Sequence, residues 1–583
     1  MTIYHFAWVD ADATSFLPSH VREDEAVLAF ELSHSEGEFA TLSIEIRNPR
    51  KGLLNASRKQ WAWFSADFGS GAEALFFGRL VAMPEDIIGN AVRLTFRARP
   101  DDFADARQAV ADALKVAPYW DPVWIMPDVL DDADAVLESR SALWHIDRVS
   151  HQVTISDVLT AEDGVIDLGG NVIRDSLELA YGAPPASSIS CEAVVGWEQS
   201  LTGSFDLVPA LLAAFKAAGT DTANVISSFT GQGLMEDWPK PGTRIGGGWS
   251  FGKSAISRVD GFTVPKDFET QVFTTNGLWG QKAEWPCWKM KPVLRARYDA
   301  SRGRTEVLRF TLVADTQAFV ADPDDSEPLT LTLSSDLVGA PVDSGDKLPI
   351  GSRRNRAYFP TERGLRSVAY LVAVCRARLR ARARSVEIKG ETSLARGRNF
   401  SCRKAIRIED PRLPGGAATG KIISYTLSMS GDGGEAIAGF VIGCSLGKGN
   451  SIAAAIGTPA YVAGGYVETG WQRYAGASTA VVAGEVTVAD FSDIAPDDDG
   501  IDFDHLTEAD VIDAITVING ERDQRALIRA YNSSYKEVAE AFDQAFTEII
   551  LKLKPIAKGP FETVYDITVS RLALPKTIDL EAA

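Results

Sequence analysis

The chain has 583 residues, 45% of them hydrophobic and 24% charged, which excludes general disorder and, at roughly 150 residues per domain, implies about four domains. Its formal net charge of -20 repels phosphate over most of the surface, so counterion release cannot drive tight, sequence-specific DNA binding. The same charge suits a wall past which DNA slides without sticking.

Segments Phe39 to Ile46, Ala74 to Val81 and Val92 to Ala98 combine period-2 alternation with β-branched and aromatic residues between Gly, Pro, Asn and Asp, and predict antiparallel strands of a small barrel or sandwich. From Asp101 to Val116 the period changes, with Phe103, Ala106, Val110, Ala113 and Leu114 on one face and Pro118 beyond, which predicts an amphipathic helix. Trp144 to Val158 returns to strand, and Ala183-Pro-Pro185 marks a boundary. A second helix is predicted over Leu207 to Ala218, an ordered Gly- and Trp-rich loop over Thr230 to Gly252, and strands over Lys291 to Tyr298 and Glu306 to Ala314.

Glu362 to Arg384 places Leu365, Val368, Ala369, Val372, Cys375 and Leu379 at helical spacing, with arginines at 363, 366, 376, 378, 380, 382 and 384. Because the last five alternate, they spread around the helix instead of forming one face for DNA or membrane, and ion pairing with acidic partners is the reading adopted. Lys421 to Ser428, the turn Gly431 to Gly434 and Ala436 to Gly443 predict a hairpin. Beyond it lie an acidic loop at Asp497 to Asp504, helical material within Glu521 to Lys554 and a final strand at Glu562 to Ser570.

The expected architecture is α+β and β-rich, with two small antiparallel β domains, read as barrels, plus α+β domains. The divisions are 1–105 (first barrel), 106–190 (helix and strands bracing it), 191–345 (α+β middle), 346–460 (long helix and second barrel) and 461–583 (C-terminal α+β).

Cysteines 191, 287, 375, 402 and 444 are scattered without a C-x-x-C pair and read as buried free thiols of a reducing compartment. Met1 to Asp10 lacks the pattern of a secretion signal, and the longest weakly polar run, Ala436 to Gly447, falls short of the roughly 20 residues that span a bilayer. A soluble chain made in the cytoplasm is expected.

Gly247-Gly-Trp-Ser-Phe-Gly252-Lys253-Ser254 matches the phosphate-cradling loop G-x-x-x-x-G-K-S. In a nucleotide site such a loop joins a buried strand to a helix, whereas here Asp237-Trp-Pro-Lys-Pro-Gly242 precedes it and Gly261 and Pro265 follow. A surface turn is the preferred reading, and no cofactor is expected.

The acidic loop fails an EF-hand register, because Gly500 at the sixth place puts Ala495 first and Leu506 twelfth. His145 and His151, on one strand, would lie about 20 Å apart, too far to share a metal. No metal site, catalytic residue or G-x-S-x-G elbow is identified.

Several blocks resemble the baseplate or tail-tip hub proteins of siphophages that infect alphaproteobacteria. They are Phe6-Ala-Trp-Val9, Glu36-Gly-Glu-Phe-Ala40 with Ile46-Arg-Asn-Pro-Arg50, Phe77-Gly-Arg-Leu-Val81 leading to Phe96-Arg-Ala-Arg-Pro-Asp101, and Tyr119-Trp-Asp-Pro122. Leu143-Trp-His-Ile-Asp-Arg148, Asp410-Pro-Arg-Leu-Pro-Gly415, Gly420-Lys-Ile-Ile423 and Pro575-Lys-Thr-Ile-Asp-Leu580 complete the set.

The resemblance implies a non-enzymatic virion protein at the distal end of the tail. In such hubs two β-barrels per subunit let a homotrimer imitate a sixfold tube ring, with tube protein above, tip or fibre proteins below and phage DNA passing through without specific binding. Rival readings are a nucleotide-dependent assembly factor built on Gly247, Gly252, Lys253 and Ser254, and a carbohydrate-binding tail protein using Trp279, Trp285 and Trp288.

Overall fold

A computed structural model describes residues 2–9, 26–47, 60–81, 87–206, 244–246, 249–258, 294–319, 328–337, 358–359, 362–430, 436–449, 481–482, 486–487, 512–518, 548–553, 562–567, 569 and 571–582. Outside these fall the helix expected at 207–218, the turn 431–434, the acidic loop 497–504, Cys287, and Trp279, Trp285 and Trp288.

The first strands are β1 (Ile3–Val9), β2 (Ala26–Ser35), β3 (Thr41–Arg47), β4 (Trp61–Asp67), β5 (Ala72–Leu80), β6 (Ile87–Ile88) and β7 (Ala91–Arg97). Helix α1 (Phe103–Leu114) and strands β8 (Ala142–Ile146) and β9 (Val153–Asp157) follow. Next come β10 (Val165–Gly169), β11 (Glu178–Tyr181), β12 (Ser188–Asp206), β13 (Arg244–Gly246), β14 (Trp249–Arg258), β15 (Leu294–Val313) and β16 (Leu329–Asp336). Helix α2 (Glu362–Ala383) leads into β17 (Arg384–Ser393), short helix α3 (Leu394–Gly397), β18 (Ala405–Glu409), β19 (Ala417–Met429) and β20 (Ile437–Ser445). The chain closes with β21 (Val481–Val482), β22 (Val486–Thr487), β23 (Ile512–Ile518), β24 (Glu548–Leu553) and β25 (Glu562–Asp566).

Alternation explains the first strands. Leu42, Ile44 and Ile46 of β3 and Val92, Leu94 and Phe96 of β7 point into one core, while the residues between them face outward. Strand β4 is buried on both faces. Ala62, Phe64 and Ala66 enter that core, and Trp61 and Trp63 stack on Phe77 at ring centroids 5.1 and 4.4 Å apart.

The protein is β-rich with few helices, and its largest sheet has 13 strands with the main order β1-β4-β5-β7-β3-β2-β19-β20-β17-β11. The two β regions expected as separate barrels therefore share one sheet. Antiparallel pairing of β2 with β19, from Phe30↔Met429 to Ser35↔Ser424, fuses them, and among the described residues the strand path is open. Local alternation specifies each strand but not its neighbour, so this junction lies beyond pattern reading.

The second sheet has six strands, in the order β13-β14-β15-β12-β16 with β25 beside β15. The two strands expected at 291–298 and 306–314 are one, β15, paired with β12 from Ser188↔Val313 to Asp206↔Arg295. Ser301-Arg-Gly-Arg304 looks like a break in isolation, but the ladder runs through it.

Three more expectations are corrected. Gly252, Lys253 and Ser254 lie within β14, not on a surface turn, and Ser254 is opposite Tyr298. Residues 548–553, at the end of the stretch 521–554 expected to contain helical material, form β24 against β23, where Ile549, Ile550 and Leu551 suit a ladder. Trp144 to Val158 is the hairpin β8–β9, turned through His151 at φ 60°.

Helix α2 is buried along most of its length, in one core with β12, β15, β16 and the Tyr358-Phe359 segment. Each such Leu, Val or Tyr contributes roughly 1.5–3 kcal/mol on burial. A third, smaller core joins α1 to the β8–β9 hairpin through Ala111, Val136, Trp144, Ile146 and Val153.

Candidate functional site

The features with chemical content lie where these parts meet. At the start of α2, Arg363 donates to both carboxylate oxygens of Asp121, at 2.5 and 2.8 Å, although the two side chains are only 5% and 2% exposed. The Ser367 hydroxyl donates to Asp121 at 2.6 Å and accepts from Arg363 at 3.0 Å, so the Tyr358 hydroxyl, 2.8 Å away, donates to Ser367. Asp121 also accepts from the Val123 amide, which caps a short 3₁₀ turn.

Beside this group, Glu306 of β15 accepts from the Trp197 indole at 2.7 Å and from the Tyr358 and Phe359 amides at 2.7 and 3.2 Å. Burial pushes its carboxyl up to about 7, against the pull of those donors and of Arg304. One turn and one strand are thereby tied to the helix.

The second network joins the two β regions. Tyr425 of β19 accepts from Arg148 at 2.7 Å and lies 3.2 Å from Nδ1 of His34 on β2. Since arginine can only donate, the phenol proton is directed at His34, whose Nδ1 accepts. Arg148 also donates to the Arg398 carbonyl at 2.8 Å. The His34 and His145 rings pack with centroids 5.5 Å apart.

Burial pushes both imidazoles down, His34 to about 3 and His145 to about 4, and their mutual repulsion adds to the effect at His34. Histidine spacing along the chain pointed to His145 and His151; the close pair is His34 with His145. His151 instead sits on the turn, its Nε2 2.7 Å from the Phe77 carbonyl oxygen.

Arginines around α2 are ion-paired as expected: Arg380 with Asp157 at 2.7 Å, Arg384 with Glu36 at 2.7 Å and Arg378 with Glu138 at 3.3 Å. Lys421, 0% exposed, donates to Ser156 at 2.5 Å and to the Asp157 carbonyl, and lies 3.5 Å from Glu162. Asp157 thus receives the helix through its side chain and the second β region through its carbonyl.

A cleft of about 520 Å³ opens beside this network, lined by Tyr119, Ser141, Thr160 and four arginines, Arg140, Arg376, Arg380 and Arg403, against two carboxylates, Asp157 and Glu162. Cys191 of β12 and Cys375 of α2 share a thiol hydrogen bond that, with burial, holds Cys375 far above the usual thiol range and favours its neutral form.

Lys253 and Ser254 occupy an extended strand, whereas a phosphate-cradling loop hands that pair to a helix. Among the described residues no group of three metal-binding side chains converges, and no helix is long and apolar enough to cross a membrane. The Asp121–Arg363 pair spans 242 positions; its only trace in sequence is a charged residue at the head of an apolar helix.

No family model matches this sequence, and no curated protein is similar to it. Among solved structures, the 43 kDa tail protein of prophage MuSo2 from Shewanella oneidensis is similar at 9% identity and TM-score 0.31, over 75% of this chain and 98% of that one. A tail protein from Neisseria meningitidis MC58 is similar at 8% identity and TM-score 0.34, over 76% and 96%. The E. coli c3393 protein, a type VI secretion component reported as structurally similar to the bacteriophage T4 tail proteins gp27 and gp5, is similar at 11% identity and TM-score 0.22, over 72% and 74%. Likenesses this loose describe and do not assign.

Proposed function

We propose that this chain is the structural hub of a siphophage tail tip or baseplate, a non-enzymatic virion protein that closes the distal end of the tail tube. The observation that carries the reading is the edge-to-edge union of the two β regions through β2 and β19. Two β regions, held in fixed relation within one subunit, would let a homotrimer present six units to a sixfold tube.

The polar junction supports the same role. A ring that bears load during DNA ejection works by geometry, and Asp121–Arg363, Arg380–Asp157 and Lys421–Ser156 tie helix, hairpin and sheet together. Tube protein would lie above, tip or fibre proteins below, and the net charge of -20 would keep passing DNA from adhering.

Immunogold electron microscopy of purified phage, with antibody against this chain, tests the proposal. Label at the distal tail tip is expected. Virions without label would overturn it.

A further inference from the structure

We propose that segment 571–581 is a latch that clasps the six-stranded sheet to the thirteen-stranded sheet and, keyed by the Gln317 side chain, seats or releases as one unit. The inference is independent of the hub reading.

The segment is anchored in both cores. Leu572 and Leu574, each 1% exposed, lie in the core of the six-stranded sheet and α2, and Ile578, 2% exposed, lies in the core of the thirteen-stranded sheet. Its main-chain bonds divide in the same way. The Leu572 amide donates to the Val313 carbonyl on β15 at 2.8 Å. Thr577 instead joins β20 and β19, its amide donating to the Ser445 carbonyl at 3.2 Å and its carbonyl accepting from the Thr419 amide at 2.8 Å. The Thr577 hydroxyl adds a further pair, accepting from the Ser445 amide at 2.6 Å and donating to the Ser445 carbonyl at 3.1 Å.

Gln317 closes the joint. It lies just beyond β15 and is 3% exposed. Its Nε2 donates to the Gly447 carbonyl at 3.0 Å and to the Ile578 carbonyl at 2.7 Å, while its Oε1 accepts from the Leu580 amide at 2.8 Å. One side chain on the extension of β15 thus spends both its donors and its acceptor on the end of β20 and on the latch. There is little room for the latch to shift. Gly447 and Gly449 donate to the Pro575 and Leu574 carbonyls at 3.1 and 3.0 Å, and a Cβ at position 447 would run into the Leu574 carbonyl. These buried polar groups find their partners across separate segments, so the loss of one strands the others and the contacts stand or fall together. A unit of this kind opens at a lower cost than global unfolding.

The test uses the full chain. Gln317→Leu, outside the latch, and Thr577→Val, within it, should each raise hydrogen exchange by roughly tenfold or more at the Leu572, Thr577 and Leu580 amides together. The Thr419 and Gly447 amides, which donate into the latch, should follow them, while exchange in β3 and β7 and the circular dichroism stay as in wild type. Trypsin should cut both variants faster by a similar factor after Arg571 and Lys576, whose side chains are 60% and 40% exposed. Exchange that rises only at the direct partners of the replaced side chain, with the Leu572 amide still protected, would overturn the latch, and so would wild-type cleavage rates in both variants. If Gln317→Leu fails to fold, Thr577→Val decides alone by the same two readings.

Discussion

Replacing Arg363 with methionine isolates the tie between α2 and the loop that carries Asp121. The variant keeps most of the side-chain volume but removes two charge-assisted bonds, at 2.5 and 2.8 Å, and leaves a carboxylate that is 2% exposed. Ser367 and the Val123 amide still donate to Asp121, so its charge loses one of three partners. Breaking a buried pair from one side costs about 3–5 kcal/mol, because an uncompensated charge stays behind. A chain of this size need not unfold in one step, so the suitable readout is hydrogen exchange of the α2 amides. Protection there should fall by roughly two to four orders of magnitude. Adding Asp121→Asn should restore most of it, since neutralising both partners removes the stranded charge. Less than a tenfold change in the single variant, or two losses that simply add, would refute the assignment of this pair as a structural tie.

The His34–His145 pair predicts acid sensitivity. Both imidazoles titrate well below their unfolded value of about 6.5, so the unfolded chain binds protons first, and stability is full above that pH and declines as pH falls toward 4. Glu306, raised to about 7, acts in the opposite sense and loses its contribution as pH rises. The comparison therefore needs a variant: His34→Gln should flatten the change in urea midpoint between pH 7.5 and 5, and parallel curves for the two proteins would contradict it. Gly364→Ala should destabilise by about 1–3 kcal/mol, because a Cβ there meets the Phe359 backbone at 2.5 Å, whereas Gly303→Ala, with nothing within 4 Å, serves as a near-neutral control in the same denaturation series. Magnesium-ATP titrated into the full chain should give no binding heat, as Lys253 and Ser254 stand in a strand; saturable heat abolished by Lys253→Ala would revive the nucleotide reading.

Elements whose identity rests on neighbours a few residues away were legible in the sequence. The 3.6-residue spacing from Leu365 to Leu379 marked α2, which ends at Ala383, one residue before the expected limit. Alternation marked β3, β5 and β7, and the alternating arginines of α2 and the start of β17 pointed to the ion pairs later found with Asp157, Glu36 and Glu138. Short-range sterics and side-chain direction govern those choices, and both are written along the chain.

Tertiary structure alone decided the rest. Period-2 patterning puts Leu32 and Leu427 on inward faces but does not say that β2 will pair with β19. The continuity of β15 through Arg302 and Gly303, and the conversion of a phosphate-loop look-alike into β14, depend on ladder partners distant in sequence. Asp121 and Arg363, His34 and His145, and Lys421 and Ser156 meet only because separate elements pack together. Burial then makes each encounter matter, since a polar group removed from water must find its partner in whatever the fold brings beside it.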